Sequence, residues 1–299
     1  MIVDRILQAA EARARQRGQR PAKLGAWNVG SCVRKLWYME HGAPAEPLQA
    51  RALLTFDLGD RVEDAVLHWL QESGHDFIRT NEARDMVYVP ELGCRVRADF
   101  VFACDLEPVT VDTRLDGLEP PPRPGELIVG EVKSMSDFAF ERACRGTVDE
   151  TYLCQMETYM RAYDTRHALL VAYRKATSHV HEVLIPRSEA RWAACLEKAA
   201  VARGADCPER PYGLDAACRG CGGSGRTEKA GKPHKACGGS GREPGGPYLA
   251  VMPCGYCPHK TPCWGPVELV ERAGKPRWRL AVGADPAPAE TLTAAEEVI

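Results

Sequence analysis

Cys254, Cys257 and Cys263 stand as C-x2-C-x5-C in PCGYCPHKTPCW. Thiols so closely spaced in a reduced compartment mark a metal or cluster site rather than disulfides. A closed four-cysteine site needs one more thiolate, and Cys32, in SCVRKLWY, is the best-placed candidate. Such a site would tie segments from opposite ends of the sequence together. Spacing alone does not separate zinc from iron–sulfur. The compartment follows from the first residues, where Asp4 and Arg5 interrupt the apolar run and argue against a secretory signal. A cytoplasmic chain keeps its thiols reduced, so its 13 cysteines need a reason other than disulfides.

The 299 residues are enough for one large domain or two smaller ones. No apolar run approaches the length of a transmembrane helix, so no membrane partner is expected. The net charge of −2 excludes a uniformly basic nucleic-acid coat but not a basic patch. Residues 1–38 supply one, with eight Lys or Arg against two acids. A solvated helix face accounts for it as readily as a phosphate-binding surface.

Helical periodicity is expected over 1–17, 49–73, 136–145, 149–164 and 187–204. Strand patterns occupy parts of 77–134, then 167–174 and 179–186, with a final hairpin over 267–282. The prolines of EPPPRPGE (119–126) exclude a central strand, so this stretch is read as part of a long hairpin excursion. The expected class is α/β. Boundaries are placed at 1–206 for a core, 207–246 for a Gly- and Cys-rich insertion, 247–282 for a C-terminal cysteine segment and hairpin, and 283–299 for an acidic tail.

Four polar groups interrupt these patterns. In CRVRADFVF, read as one strand, Arg95, Arg97 and Asp99 share a face opposite Val96, Ala98 and Phe100. An acid flanked by arginines suits a metal beside a phosphate. In LIVGEVKS, Glu131 and Lys133 share a face of a buried strand. A carboxylate pair binds Mg²⁺ or Mn²⁺, and a neighbouring lysine offsets negative charge. Taken alone, E-x-K is a common surface ion pair. Glu63 projects from the helical stripe of Gly59, Val66, Leu67 and Leu70, where an acid needs a partner or a metal. Gln155 and Tyr159 are four apart and stack on one helical face.

In this order, GDRVE (59–63), RAD (97–99), EVK (131–133) and QMETY (155–159) resemble the PD-(D/E)XK nuclease superfamily, in its RecB-like exonuclease branch. The cysteine arrangement is similar to that of the AddB-type and CRISPR-associated RecB-like nucleases. The resemblance implies a restriction-endonuclease-like core, with a central mixed sheet flanked by helices. It implies that Asp99 and Glu131 hold Mg²⁺ or Mn²⁺, with Glu63 where many relatives have histidine. Lys133 would help activate water, and Gln155 and Tyr159 would support the site and the DNA. Cys32, Cys254, Cys257 and Cys263 would hold a [4Fe–4S] staple. The expected activity is a DNA exonuclease on single strands or ends, in recombination, repair, phage replication or CRISPR-type processing, with a helicase or recombination partner. The alternative is a non-catalytic DNA-binding adaptor on the same fold. Arg34, Lys35, Arg95 and Arg97 are the expected DNA contacts.

A second cluster is a repeat. CRGCGGSG (218–225) and HKACGGSG (234–241) each offer two ligands, followed by Gly-Gly-Ser-Gly. Cys218, Cys221, His234 and Cys237 suit one tetrahedral Zn²⁺, with Cys207 as an alternative fourth ligand. The segment resembles half-repeats of the DnaJ zinc-binding region. A flexible glycine-rich loop is the competing reading. The six remaining cysteines, at 94, 104, 144, 154, 195 and 207, are expected mostly as small buried hydrophobes.

Overall fold

The computed structural model describes residues 2–17, 23–43, 45–80, 85–104, 122–210, 257–272 and 275–281. These residues fall into two compact units. One comprises Met1–Ser31 and Leu48–Ala200, the other Cys32–Pro47 and Val201–Ile299.

The first unit is a mixed sheet with helices. Its strands are β1 (Phe77–Arg79), β4 (Phe100–Ala103), β5 (Leu127–Met135), β6 (His167–Arg174) and β7 (Val180–Pro186), hydrogen-bonded in the order β1-β4-β5-β6-β7. Only β5 and β6 run parallel within this sheet. A parallel pair needs a crossover of a dozen or more residues. Here the crossover holds α4 (Asp137–Cys144) and α5 (Glu150–Ala162). The side chains of Ser136 and Asp149 accept from the backbone N–H of Ala139 and Thr151, capping the two helices at their starts. The crossover therefore carries α5 back over β5.

Val132 of β5 packs with Phe100, Val171 and the residues Val66 and Leu67 of α3 (Ala50–Glu72). Gly74, at φ +81°, lets the chain turn away just after α3. Strand alternation then directs Glu131 and Lys133 to the opposite face, towards α5. Gly130 pairs with Phe100, whose ring lies where a Cβ would stand. Gly130→Ala is expected to cost about 1–3 kcal/mol through overpacking, read as a lower urea midpoint at unchanged slope.

The continuous strand expected over 94–102 is broken. CRVRADFVF is not a single strand. Cys94–Val96 forms β3, paired with β2 (Val87–Val89), while Phe100–Ala103 joins the main sheet as β4. The alternation of buried and exposed residues continues through the break, which is why periodicity hid it. The expected excursion between β4 and β5 closes on a backbone pair, Cys104 with Glu126, and residues 105–121 lie outside the described ones.

In the second unit, α2 (Val33–Glu40) and the segment after it meet α7 (Lys260–Trp264). Tyr38 Oη donates to the Pro262 carbonyl at 3.0 Å, Glu46 N to the Pro258 carbonyl at 2.7 Å, and Lys260 pairs with Glu46 at 2.6 Å. The expected hairpin is present as β8 (Val267–Arg272) and β9 (Lys275–Leu280), with Trp264 and Leu280 at its core. Among the described residues, no helix is long and apolar enough to cross a membrane.

Candidate active site

Asp99 lies in the break between β3 and β4, and three backbone contacts fix it. Its N–H donates to the Gly130 carbonyl at 3.0 Å, and its own carbonyl accepts from Thr80 N at 3.1 Å. Its carboxylate Oδ2 accepts from Val132 N at 2.8 Å. The strand break thus turns an alternating side chain into one clamped against the next strand.

Glu131 is 4% exposed. Its Oε1 accepts from Lys133 Nζ and, at 2.8 Å, from Gln155 Nε2. That amide also donates to Tyr159 Oη at 2.7 Å. Its other oxygen, Oε2, is buried and has no hydrogen-bond partner among the described residues.

Electrostatics bring Glu63 into the same group. Burial first, then the Glu131 charge, pushes its carboxyl above the usual range, while Arg79 pulls the other way. Burial, Glu131 and Glu63 push Asp99 up to about 8, against the opposing Val132 hydrogen bond and Lys133. Burial works to lower the Lys133 pKa, but the adjoining Glu131 carboxylate outweighs it and holds the ammonium above its ordinary value. Burial and Glu131 together raise the Tyr159 hydroxyl. All six residues expected from sequence, Glu63, Asp99, Glu131, Lys133, Gln155 and Tyr159, are therefore within one electrostatic neighbourhood.

The cluster is short of positive charge. Beyond burial, Glu131 raises both Glu63 and Asp99 and Glu63 raises Asp99 further, while Glu131 Oε2 has no hydrogen-bond partner among the described residues. A hard divalent cation with oxygen ligands fits that donor set. Among the described residues, no three His, Cys, Asp or Glu side chains are already drawn together closely enough to enclose an ion.

Of the cluster cysteines, Cys32, Cys257 and Cys263 are all in the second unit and lie near enough to influence one another electrostatically. Burial pushes the Cys257 thiol up to about 11 and raises Cys263, with Lys35 opposing at the first and Arg34 and Arg210 at the second. All three are half-buried, and thiols raised in this way are costly to ionise without a metal in the proton's place, so soft ligation fits Cys257 and Cys263. Cys254, and the zinc candidates Cys218, Cys221, His234 and Cys237, lie outside the described residues.

The expected DNA contacts divide. Arg95 is exposed, and Arg97 and Lys35 are half-buried. Arg34 is 1% exposed, with its guanidinium donating to the Pro208 carbonyl at 2.7 Å and to Tyr38 Oη at 3.1 Å. Burial and these bonds make it an interior cation of its unit rather than a DNA-facing one. Cys104, Cys154 and Cys195 are buried as expected, whereas Cys144 is exposed at the end of α4.

Sequence reasoning missed Tyr152 and Glu157. Tyr152 is in the same helical register as Gln155 and Tyr159. Its ring centre lies 5.6 Å from Lys133 Nζ. Glu157 is fully buried and bound by Arg161, Arg191 and Ser188 N. Its partners on α6 (Glu189–Arg203) and just before it are distant in sequence, so no local pattern announces them.

No family model and no curated protein matches the chain. Among solved structures, the crystal structure of SSO0001 aligns at 15% identity, covering 69% of this chain and 88% of that one, with a TM-score of 0.39. An alkaline exonuclease from Laribacter hongkongensis, LHK-Exo, aligns at 16% identity over 61% of this chain and 87% of its own, with a TM-score of 0.40. A phage-related exonuclease from Haemophilus somnus 129PT aligns at 15% identity over 58% and 78%, with a TM-score of 0.34.

Proposed function

We propose that this chain is a metal-dependent deoxyribonuclease of the PD-(D/E)XK type, acting as an exonuclease on single-stranded DNA or DNA ends. The observation that carries the reading is the buried Oε2 of Glu131, without a partner among the described residues, beside Asp99 and Glu63 and with Lys133 on the same carboxylate. Asp99 and Glu131, with Glu63, would hold the cation. A bound Mg²⁺ or Mn²⁺ polarises the scissile phosphate and lowers the pKa of an attacking water.

The chain's own residues do the rest. Val132 N and the β5 backbone hold the Asp99 carboxylate in one orientation. Gln155 holds Glu131 through its amide and is itself steadied by Tyr159. Lys133 places an ammonium beside the site, where it offsets negative charge developing on the phosphate. Arg95 and Arg97, on the segment that carries Asp99, supply cations for the nucleic-acid backbone. The four-cysteine group would hold a structural [4Fe–4S] cluster, and the Cys218/Cys221/His234/Cys237 group one Zn²⁺; neither takes part in hydrolysis.

Labelled single-stranded DNA incubated with Mg²⁺ or Mn²⁺ should shorten with the wild type. With Lys133→Ala the rate should fall by about 10²–10³-fold. Equal degradation by both, or none by either, would sink the reading. Anaerobically purified protein should absorb broadly near about 400 nm and hold about four irons per chain. Colourless protein holding two zincs would overturn the cluster.

A further inference from the structure

Helix α5 presents one polar stripe to β5. Tyr152, Gln155 and Tyr159 follow at helical spacing, so all three occupy the same side. Gln155 reaches Glu131. Tyr152 reaches the other member of the pair: its ring centre is 5.6 Å from Lys133 Nζ, inside the range where a ring face attracts an ammonium. The Lys133 side chain is 24% exposed, so water screens the contact only in part.

The groups facing the ammonium are Glu131, Asp99 and the Tyr152 ring. Glu131 Oε1 carries two donors, Lys133 and Gln155, while Oε2 carries none among the described residues. A cation held by Glu131 and Asp99 would draw on the carboxylate that Lys133 bonds and on the second charge that attracts it. The neutral ring does not enter that competition. It is the one neighbour of the three whose hold on the ammonium is untouched when the carboxylates are engaged.

We propose that Tyr152 is the positioning residue for Lys133, its ring keeping the ammonium at the site while Glu131 and Asp99 serve a divalent cation. This role rests on the nuclease reading above. It needs the ring and not the hydroxyl, and it predicts a loss in kcat rather than in substrate affinity.

Tyr152→Leu should lower kcat on single-stranded DNA about tenfold with KM within about twofold, whereas Tyr152→Phe should stay within about twofold of wild type in both. An independent readout uses the metal-free full chain carrying ¹³C-labelled lysine. The Lys133 methylene signal next to the ammonium, assigned by its loss in Lys133→Ala, should lie upfield through the ring current. It should remain there in Tyr152→Phe and move downfield in Tyr152→Leu. Wild-type kcat in Tyr152→Leu, an equal loss in Tyr152→Phe, or a lysine signal indifferent to both variants would overturn the role while leaving the nuclease reading standing. Absence of cleavage by the wild type would instead remove the nuclease reading, and this role with it.

Discussion

Glu131→Gln is expected to lower metal-dependent cleavage by at least about 10³-fold while leaving the fold intact. The substitution keeps the shape of the side chain and one acceptor for Gln155 and Lys133. It removes the charge that would hold the cation together with Asp99. Metal-free Glu131 is itself a source of strain, because its charge raises Asp99 and Glu63. Neutralising it relieves that repulsion, which offsets part of what Lys133 loses as a partner. The metal-free variant should therefore melt within a few degrees of the wild type, a shift of roughly 1 kcal/mol. The separation between site and fold comes from adding Mg²⁺ or Mn²⁺. A ligand that binds only the folded state raises its melting point. Wild type should show this rise and Glu131→Gln should not. A variant that cleaves at the wild-type rate, or that gains the same stabilisation from the cation, would remove Glu131 from the site.

How much of this site was legible in the sequence follows from which interactions are local. Glu131 and Lys133 are two apart on one strand, and Gln155 and Tyr159 four apart on one helix, so period alone placed each pair on a face. That the two faces meet depends on the parallel pairing of β5 and β6, which routes α5 back across β5. Strand patterns over 127–134 and 167–174, with helical patterns between them, are compatible with that crossover but do not fix which strands pair. Asp99 was legible as a residue but not as a geometry. Periodicity carried the strand through 97–99, whereas the chain changes partners there and uses the break to hold the carboxylate. Tyr152 was missed because a tyrosine at that position has no distinguishing pattern until Lys133 is placed opposite it. Arg34 was misplaced for the converse reason. Its basic neighbourhood looked like a surface, but the carbonyl that buries it, that of Pro208, is 174 residues further along the chain.

Glu157→Ala is expected to destabilise the protein by about 3–5 kcal/mol. Every residue of α5 from Cys154 to Met160 is buried, so this helix has no solvent-facing side over that stretch. Glu157 is the charged member of that buried stretch, with no exposed surface. Arg161 Nε donates to it at 2.9 Å, Arg191 Nη1 at 3.1 Å and Ser188 N at 2.9 Å. Removing the carboxylate leaves a backbone N–H and two guanidiniums without their shared acceptor. Arg161 retains Glu189 and the face of Trp192. Arg191, almost wholly buried, keeps only the Pro186 carbonyl as an acceptor among the described residues. The loss is a large share of the roughly 5–15 kcal/mol that holds a typical domain folded. At about 2–4 °C per kcal/mol for a unit of this size, the melting point should fall by roughly 6–20 °C. Glu157→Gln keeps an acceptor and should lose about half as much. Because Glu157 holds α5 from the side away from Gln155 and Tyr159, the damage is to the scaffold. Well below its lowered midpoint, the Glu157→Ala protein should still cleave DNA within a few-fold of the wild-type rate. A shift under about 2 °C would show that solvent or rearranged side chains satisfy the two arginines, and that the buried carboxylate contributes little to holding α5 against the start of α6.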